Sequence, residues 1–230
     1  MKVLSNKNNL QVLHEDNHII IINKRVGDIV QGDKTGDIPL STIVKEYLKE
    51  KYNKPGDVFL GTVHRLDRPT TGIVVFAKTS KSLTRLNKLF SERATQKTYW
   101  AIVKNRPIPS QATLTHYLKR NPQNNTSVAY LKEVPDSKKA VLDYKIIQEL
   151  EQYTVLEVDL HTGRHHQIRA QLKAIGSPIK GDLKYGFNRS NPDGGIHLHA
   201  RKLSFLHPVT QTFLEITAPT PEESLWKLIH

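Results

Sequence analysis

The tightest constraint on the fold is a run with no polar side chain, Gly72-Ile73-Val74-Val75-Phe76-Ala77. A run this short, rich in β-branched residues, reads as a buried strand. It is preceded by a stretch of opposite character, His64-Arg65-Leu66-Asp67-Arg68-Pro69-Thr70-Thr71. Pro69 and Gly72 bracket a turn into the strand. Asp67, a lone acid between two arginines, is therefore expected on a loop held by the core, where binding and catalytic residues concentrate. Taken alone, the triplet reads better as a surface salt bridge from Asp67 to Arg65 or Arg68; the rest of the chain reverses that reading.

The rest of the chain supplies partners for that strand. Residues 10–13 and 18–22 read as strands joined by the turn Glu15-Asp16-Asn17. Ser41 fits the N-cap of a helix to about Lys51, with Ile43, Val44, Tyr47 and Leu48 as its apolar stripe. A second helix opens at Ser80; Leu83, Leu86, Leu89 and Phe90 share a face, and Lys81, Arg85, Lys88 and Arg93 are expected in solvent. Further strands are expected at 98–103, 140–147, 153–160, 196–205 and 212–217, with 112–118 and 127–131 pairing across a polar connection. A helix over 167–175 stops at Gly176 and Pro178, and Pro221 is expected to start a C-terminal helix. There is no internal repeat or interdomain linker. The expectation is one α+β domain over residues 1–230, a mixed, largely antiparallel sheet with flanking helices.

Composition narrows the partner. The 230 residues carry 34 Lys plus Arg against 22 Asp plus Glu, a net charge of +12, which favours a polyanion. There is no cysteine, which excludes disulfides and zinc–thiolate sites and fits a reducing compartment. The first ten residues lack the apolar centre of a signal peptide, and no apolar run approaches the ~20 residues that span a bilayer. A cytoplasmic chain with no membrane segment is expected. With no dedicated association segment, it is expected to be a monomer.

Three more stretches carry chemistry-bearing residues. In Lys97-Thr98-Tyr99-Trp100-Ala101-Ile102-Val103, Tyr99 and Ala101 alternate with Trp100 and Ile102 along a strand. In His161-Thr162-Gly163-Arg164-His165-His166-Gln167-Ile168-Arg169, His166 and Arg169 have the spacing of one helix face. Lys180-Gly181-Asp182-Leu183-Lys184-Tyr185-Gly186 is a glycine-flanked polar loop. His197 and His199 alternate onto one face of a strand. Without cysteine or a His-Glu-x-x-His helix, these histidines read as hydrogen-bond partners or phosphate neighbours, and no metal is expected. No phosphate-binding glycine loop or dinucleotide fingerprint is present, so no nucleotide cofactor is expected.

Five of these stretches, in order, give the chain a family likeness. His64-Arg65-Leu66-Asp67 with Thr70, Lys97-x-Tyr99-x-Ala101-x-Val103, Gly163-Arg164-x-His166-Gln167-Ile168-Arg169, Gly181-Asp182-x-x-Tyr185-Gly186 and Leu198-His199-Ala200 resemble the RluA-type RNA pseudouridine synthases. The resemblance covers essentially the whole chain. It implies a single α+β catalytic domain with a central cleft, no cofactor, and a structured ribosomal or transfer RNA as partner. The small N-terminal RNA-binding domain of many members is not expected here. By the same resemblance, Asp67 is the catalytic aspartate, Tyr99 packs on the target base and can act as a general base, and Arg169 pairs with the aspartate. Arg65 fills the gap left by the extruded base; His64, Arg68, Arg164 and His166 are expected to contact RNA. Four positions depart from the family pattern: Arg25 in place of the proline of Lys-Pro-x-Gly, Gln31 and Gln171 for histidines, and Thr71 for serine.

The chemistry suits these residue types. Uridine isomerisation needs no redox change, and one carboxylate can act as base at C2′ or nucleophile at C1′. An adjacent arginine keeps such a carboxylate charged and oriented. A uridine stacked in RNA must be extruded first, which costs a few kcal/mol. A planar cation and an aromatic ring can replace the lost stacking. The alternatives are an RNA-binding paralogue without catalysis, marked by loss of Asp67 or Arg169, and a basic nuclease using His and Asp.

Overall fold

The computed structural model describes residues 2–33 and 35–229. They form two compact units, Met1–Thr95 with Ala200–Pro221, and Gln96–His199 with Glu222–His230.

The first unit is built on the apolar run. Strand β4 (Thr71–Ala77) is buried along its whole length. It pairs antiparallel with β2 (Ile19–Lys24), which is equally buried, and β2 pairs with β1 (Val12–Glu15). A two-residue strand, β3 (Gly61–Thr62), also pairs with β4. Helix α1 (Leu40–Lys51) covers one face, with Leu40, Val44 and Leu48 against Ile20, Ile22, Val74 and Phe76. Helix α2 (Ser80–Ser91) starts at a capping box between Thr79 and Ser82 and buries Leu86. Strand β10 (Leu198–Leu206) pairs antiparallel with β11 (Phe213–Thr217). Gly72 has φ +110°, and a Cβ there would lie 2.4 Å from the carbonyl oxygen of Ala200, so only glycine fits.

The second unit is an antiparallel sheet in the order β5 (Gln96–Val103), β9 (Thr154–Leu160), β8 (Lys138–Glu149), β6 (Gln111–Asn121), β7 (Thr126–Tyr130). Helix α3 (Gln167–Ala174) lays Ile168 and Leu172 on Ala101, Val103, Leu156 and Val158. On the other face, Trp226 packs on Ile102 and Val155.

The α+β expectation holds, with three α-helices among the described residues and largely antiparallel strand pairing. Two local expectations fail for identifiable reasons. Ser41 does not cap α1: the helix begins at Leu40, whose N–H and that of Ser41 are taken by the carbonyls of Ile29 and Val30 at 2.7 and 3.3 Å. The orphan donors of the first turn thus already have acceptors. The C-terminal helix from Pro221 does not form. Only a short 3₁₀ turn, Trp226–Leu228, is present. Glu223 there accepts from the Leu225 N–H and pairs with His197, while Trp226 stacks on His197, so docking sets the backbone.

Candidate active site

Asp67 sits in the first unit on a loop anchored from three directions. Leu66, its neighbour, packs against the α1 core. The Thr70 N–H donates to the Asp67 carbonyl at 3.0 Å, closing a tight turn. Beneath lies Lys24, 1% exposed, at the end of β2. Its Nζ donates to the carbonyls of Arg25, Arg68 and Thr70 at 3.0, 3.1 and 2.7 Å. An ammonium has three donors, and all three are used, which makes its burial tolerable. Burial nevertheless pulls the Lys24 pKa down to about 7, against the opposing pull of Asp28 and Asp67.

The flanking residues divide in their surroundings. Arg65 is exposed. Arg68 pairs with Asp37 at 2.7 Å. His64 accepts the Val75 N–H on Nε2 at 3.1 Å and stacks on Phe90 at 4.8 Å, so its ring fastens the loop to β4.

The second unit holds the other candidates. Tyr99, on β5 opposite Val158, packs at the margin of the apolar cluster that contains Ile168 and Leu172 of α3. Arg169 is 4% exposed. Its Nε and Nη2 donate to Oδ2 and Oδ1 of Asp182 at 2.7 and 2.9 Å, a buried bidentate pair. The Tyr185 ring lies 4.9 Å from the guanidinium carbon, within cation–π range. His166 was expected to share a helix face with Arg169. Instead it is the left-handed N-cap of α3, at φ 52°, yet both side chains converge on Tyr185. The Tyr185 hydroxyl accepts the Ser127 N–H at 2.7 Å and is hydrogen-bonded to His166 Nδ1 at 2.9 Å. Arg164 donates from Nε to the Lys139 carbonyl at 3.1 Å.

Sequence reasoning assigned no role to Lys24, Asp182 or Tyr185. The signals were a lysine closing a run of four isoleucines and the Gly-Asp-x-x-Tyr-Gly stretch itself. The Gln171 departure is accounted for: fully buried, its Nε2 donates to the Leu114 carbonyl and to His116 Nδ1 at 3.1 and 3.0 Å. His197 and His199 both face Trp226, with ring centroids 5.4 and 5.8 Å away. No group of three or more metal-ligating side chains occurs among the described residues.

Residues 18–174 match the family described as RNA pseudouridylate synthase. The chain belongs to the RNA pseudouridylate synthase family. Its RluA-type character is borne out by ribosomal large subunit pseudouridine synthase D of Xylella fastidiosa, 34% identical over 93% of this chain and 67% of that protein. Ribosomal large subunit pseudouridine synthase C of Vibrio parahaemolyticus is 32% identical over 95% of this chain and 68% of that protein. The uncharacterized RNA pseudouridine synthase YlyB of Bacillus subtilis is 31% identical, over 97% and 73%. The chain spans about two thirds of the length of these relatives. Human RNA Pseudouridylate Synthase Domain Containing 4 shares the fold, with a TM-score of 0.76 at 24% identity over 92% of this chain and 89% of that one. As a member of this family the chain is an RNA uridine-to-pseudouridine isomerase. No helix among the described residues is long and apolar enough to cross a membrane.

Proposed function

We propose that the chain isomerises particular uridines of ribosomal or transfer RNA, as a cytoplasmic monomer without a cofactor, with Asp67 as the catalytic carboxylate. The observation that carries this reading is the fastening of the Asp67 loop by Lys24 and Leu66. A reacting group needs such pre-set geometry.

The reaction breaks the N1–C1′ bond of uridine, turns the base, and joins C5 to C1′; C5 loses a proton and N1 gains one, so nothing is consumed. The carboxylate serves by removing the C2′ proton or by attacking C1′. Tyr99 stacks on the released uracil and is placed in the role of base for the C5 proton. Arg169 orients the carboxylate; its own orientation is supported by Asp182 and Tyr185. Arg65, exposed, takes the place of the extruded base, while His64, Arg68, Arg164 and His166 add contacts to RNA. The net charge of +12 supplies sequence-independent attraction to phosphates.

The test is incubation of the purified chain with ribosomal and transfer RNA transcripts, followed by nucleoside analysis. Pseudouridine should form with chain length unchanged. Shortened RNA without pseudouridine would indicate a nuclease and overturn the reading. Pseudouridine mapping in cells with and without the gene identifies the sites.

A further inference from the structure

We propose that Asp28 is a positioning residue for the Asp67 loop, acting through the buried Lys24 turn and held from outside by segment Lys2–Asn9. The inference rests on the reading of Asp67 as the catalytic carboxylate.

Asp28 is 0% exposed, and bonds reach its carboxylate from two directions. Ser5 donates its backbone N–H to Oδ1 at 3.2 Å and its hydroxyl to Oδ2 at 2.6 Å. The Arg25 backbone N–H donates to Oδ2 at 3.2 Å. Arg25 also reaches outward, from Nη2 to the Asn9 carbonyl at 2.9 Å. Segment 2–9 therefore lies across the Lys24–Asp28 turn and is tied to it at Ser5 and Asn9. Gly27 makes the crossing possible: with φ +87°, a Cβ there would lie 2.0 Å from the Lys2 carbonyl oxygen.

The same turn holds the loop. Gly27 N–H donates to the Arg68 carbonyl at 3.1 Å, the carbonyl that also accepts from Lys24 Nζ. Lys24 reaches Thr70 as well, and Thr70 closes back on Asp67. The connection thus runs from Ser5 and Arg25 through Asp28 and Lys24 to the backbone on either side of the Asp67–Thr70 turn.

This accounts for one departure from the family pattern. Arg25 stands where the resemblance leads one to expect proline. Proline has no N–H, so it could not donate to Asp28.

The charge on Asp28 matters as well as its bonds. The charged groups acting on Lys24 are Asp28, Asp67 and Arg68. Asp28 favours the ammonium form against burial. A neutral amine would turn a lone pair toward one of three carbonyls and loosen the turn.

The experiment measures single-turnover pseudouridine formation and RNA affinity for wild type, Asp28→Asn, Ser5→Ala and Arg25→Pro. Rates are taken from about pH 6 to about pH 9, spanning the Lys24 value of about 7. Asp28→Asn should slow the chemical step by about tenfold or more at the alkaline end, since small misplacements of a reacting group are costly, with RNA affinity within about twofold of wild type. Its decline with rising pH should begin at lower pH than in wild type, which a merely structural residue would not cause. Ser5→Ala and Arg25→Pro should slow the same step by a smaller factor. A folded Asp28→Asn with the wild-type rate and pH profile would overturn the proposal. If Asp28→Asn does not fold, wild-type rates in both other variants would overturn it. No pseudouridine from wild type itself would count against the functional reading of Asp67; an active wild type beside an undiminished Asp28→Asn counts against the role of Asp28 alone.

Discussion

Arg169 and Asp182 face each other as a fork on a carboxylate, Nε to Oδ2 at 2.7 Å and Nη2 to Oδ1 at 2.9 Å, and both are almost wholly buried. Burying an ion pair is costly, and removing one member leaves the other charge in the interior. Asp182→Ala is therefore expected to destabilise the chain by about 3–5 kcal/mol, read as a lower urea midpoint. Arg169→Lys keeps the charge but loses the two-point grip and the flat contact on Tyr185, and should also lower the midpoint. Unchanged midpoints would mean the pair contributes nothing net.

Glu15 gives the fold an acid-sensitive fastening. Its carboxylate accepts from Lys51, Tyr47, Tyr52 and Lys78, joining β1 to α1 and to the end of β4. Burial pushes its pKa up, but the hydrogen bonds from Lys51, Tyr52 and Lys78 outweigh it and hold the group at about 2, below its ordinary 4.5. A depressed carboxylate stabilises the fold above its unfolded value and loses that contribution as pH falls through its folded value. Glu15→Gln should thus melt lower than wild type at neutral pH, and the gap should close as pH falls from 4.5 toward 2. A gap that stays constant across that window would contradict the linkage.

Arg65 and Arg169 should be separable by substrate. Arg65 is exposed, while Arg169 is buried on α3. If Arg65 replaces the extruded base, Arg65→Ala should slow a structured stem-loop substrate more than a flexible single strand, because extrusion costs least when the base is already free. Arg169→Ala should slow both. Single-turnover rates on the two RNAs, provided wild type acts on both, decide it. Equal slowing by Arg65→Ala would reassign that side chain to a phosphate contact.

Much of this arrangement was legible because it rests on local pattern. The apolar run at 72–77, the isoleucine run of β2 and the helical Ile168–Leu172 spacing of α3 are each local signals, and each element formed there. Pro69 and Gly72 were enough to put Asp67 on a loop. What escaped depends on groups that composition cannot display. Lys24 is held by backbone carbonyls 44 and 46 residues away. Arg169 is also gripped by an acid 13 residues on, across a glycine turn. His166 follows no helical period because it occupies the left-handed cap before α3. The C-terminal segment was misread because Pro221 alone suggested a helix, whereas the docking of Trp226 sets its backbone.

On the proposed reading, Asp67 carries the chemistry while phosphate contacts carry the binding. The most direct measurement is pseudouridine formation by purified Asp67→Asn, expressed free of wild-type enzyme, beside its affinity for the same RNA. The substitution removes a charge and keeps the shape. No detectable product is expected, with RNA affinity within about tenfold of wild type, because backbone contacts position the RNA independently of the reacting group. Measurable pseudouridine from this variant would contradict it.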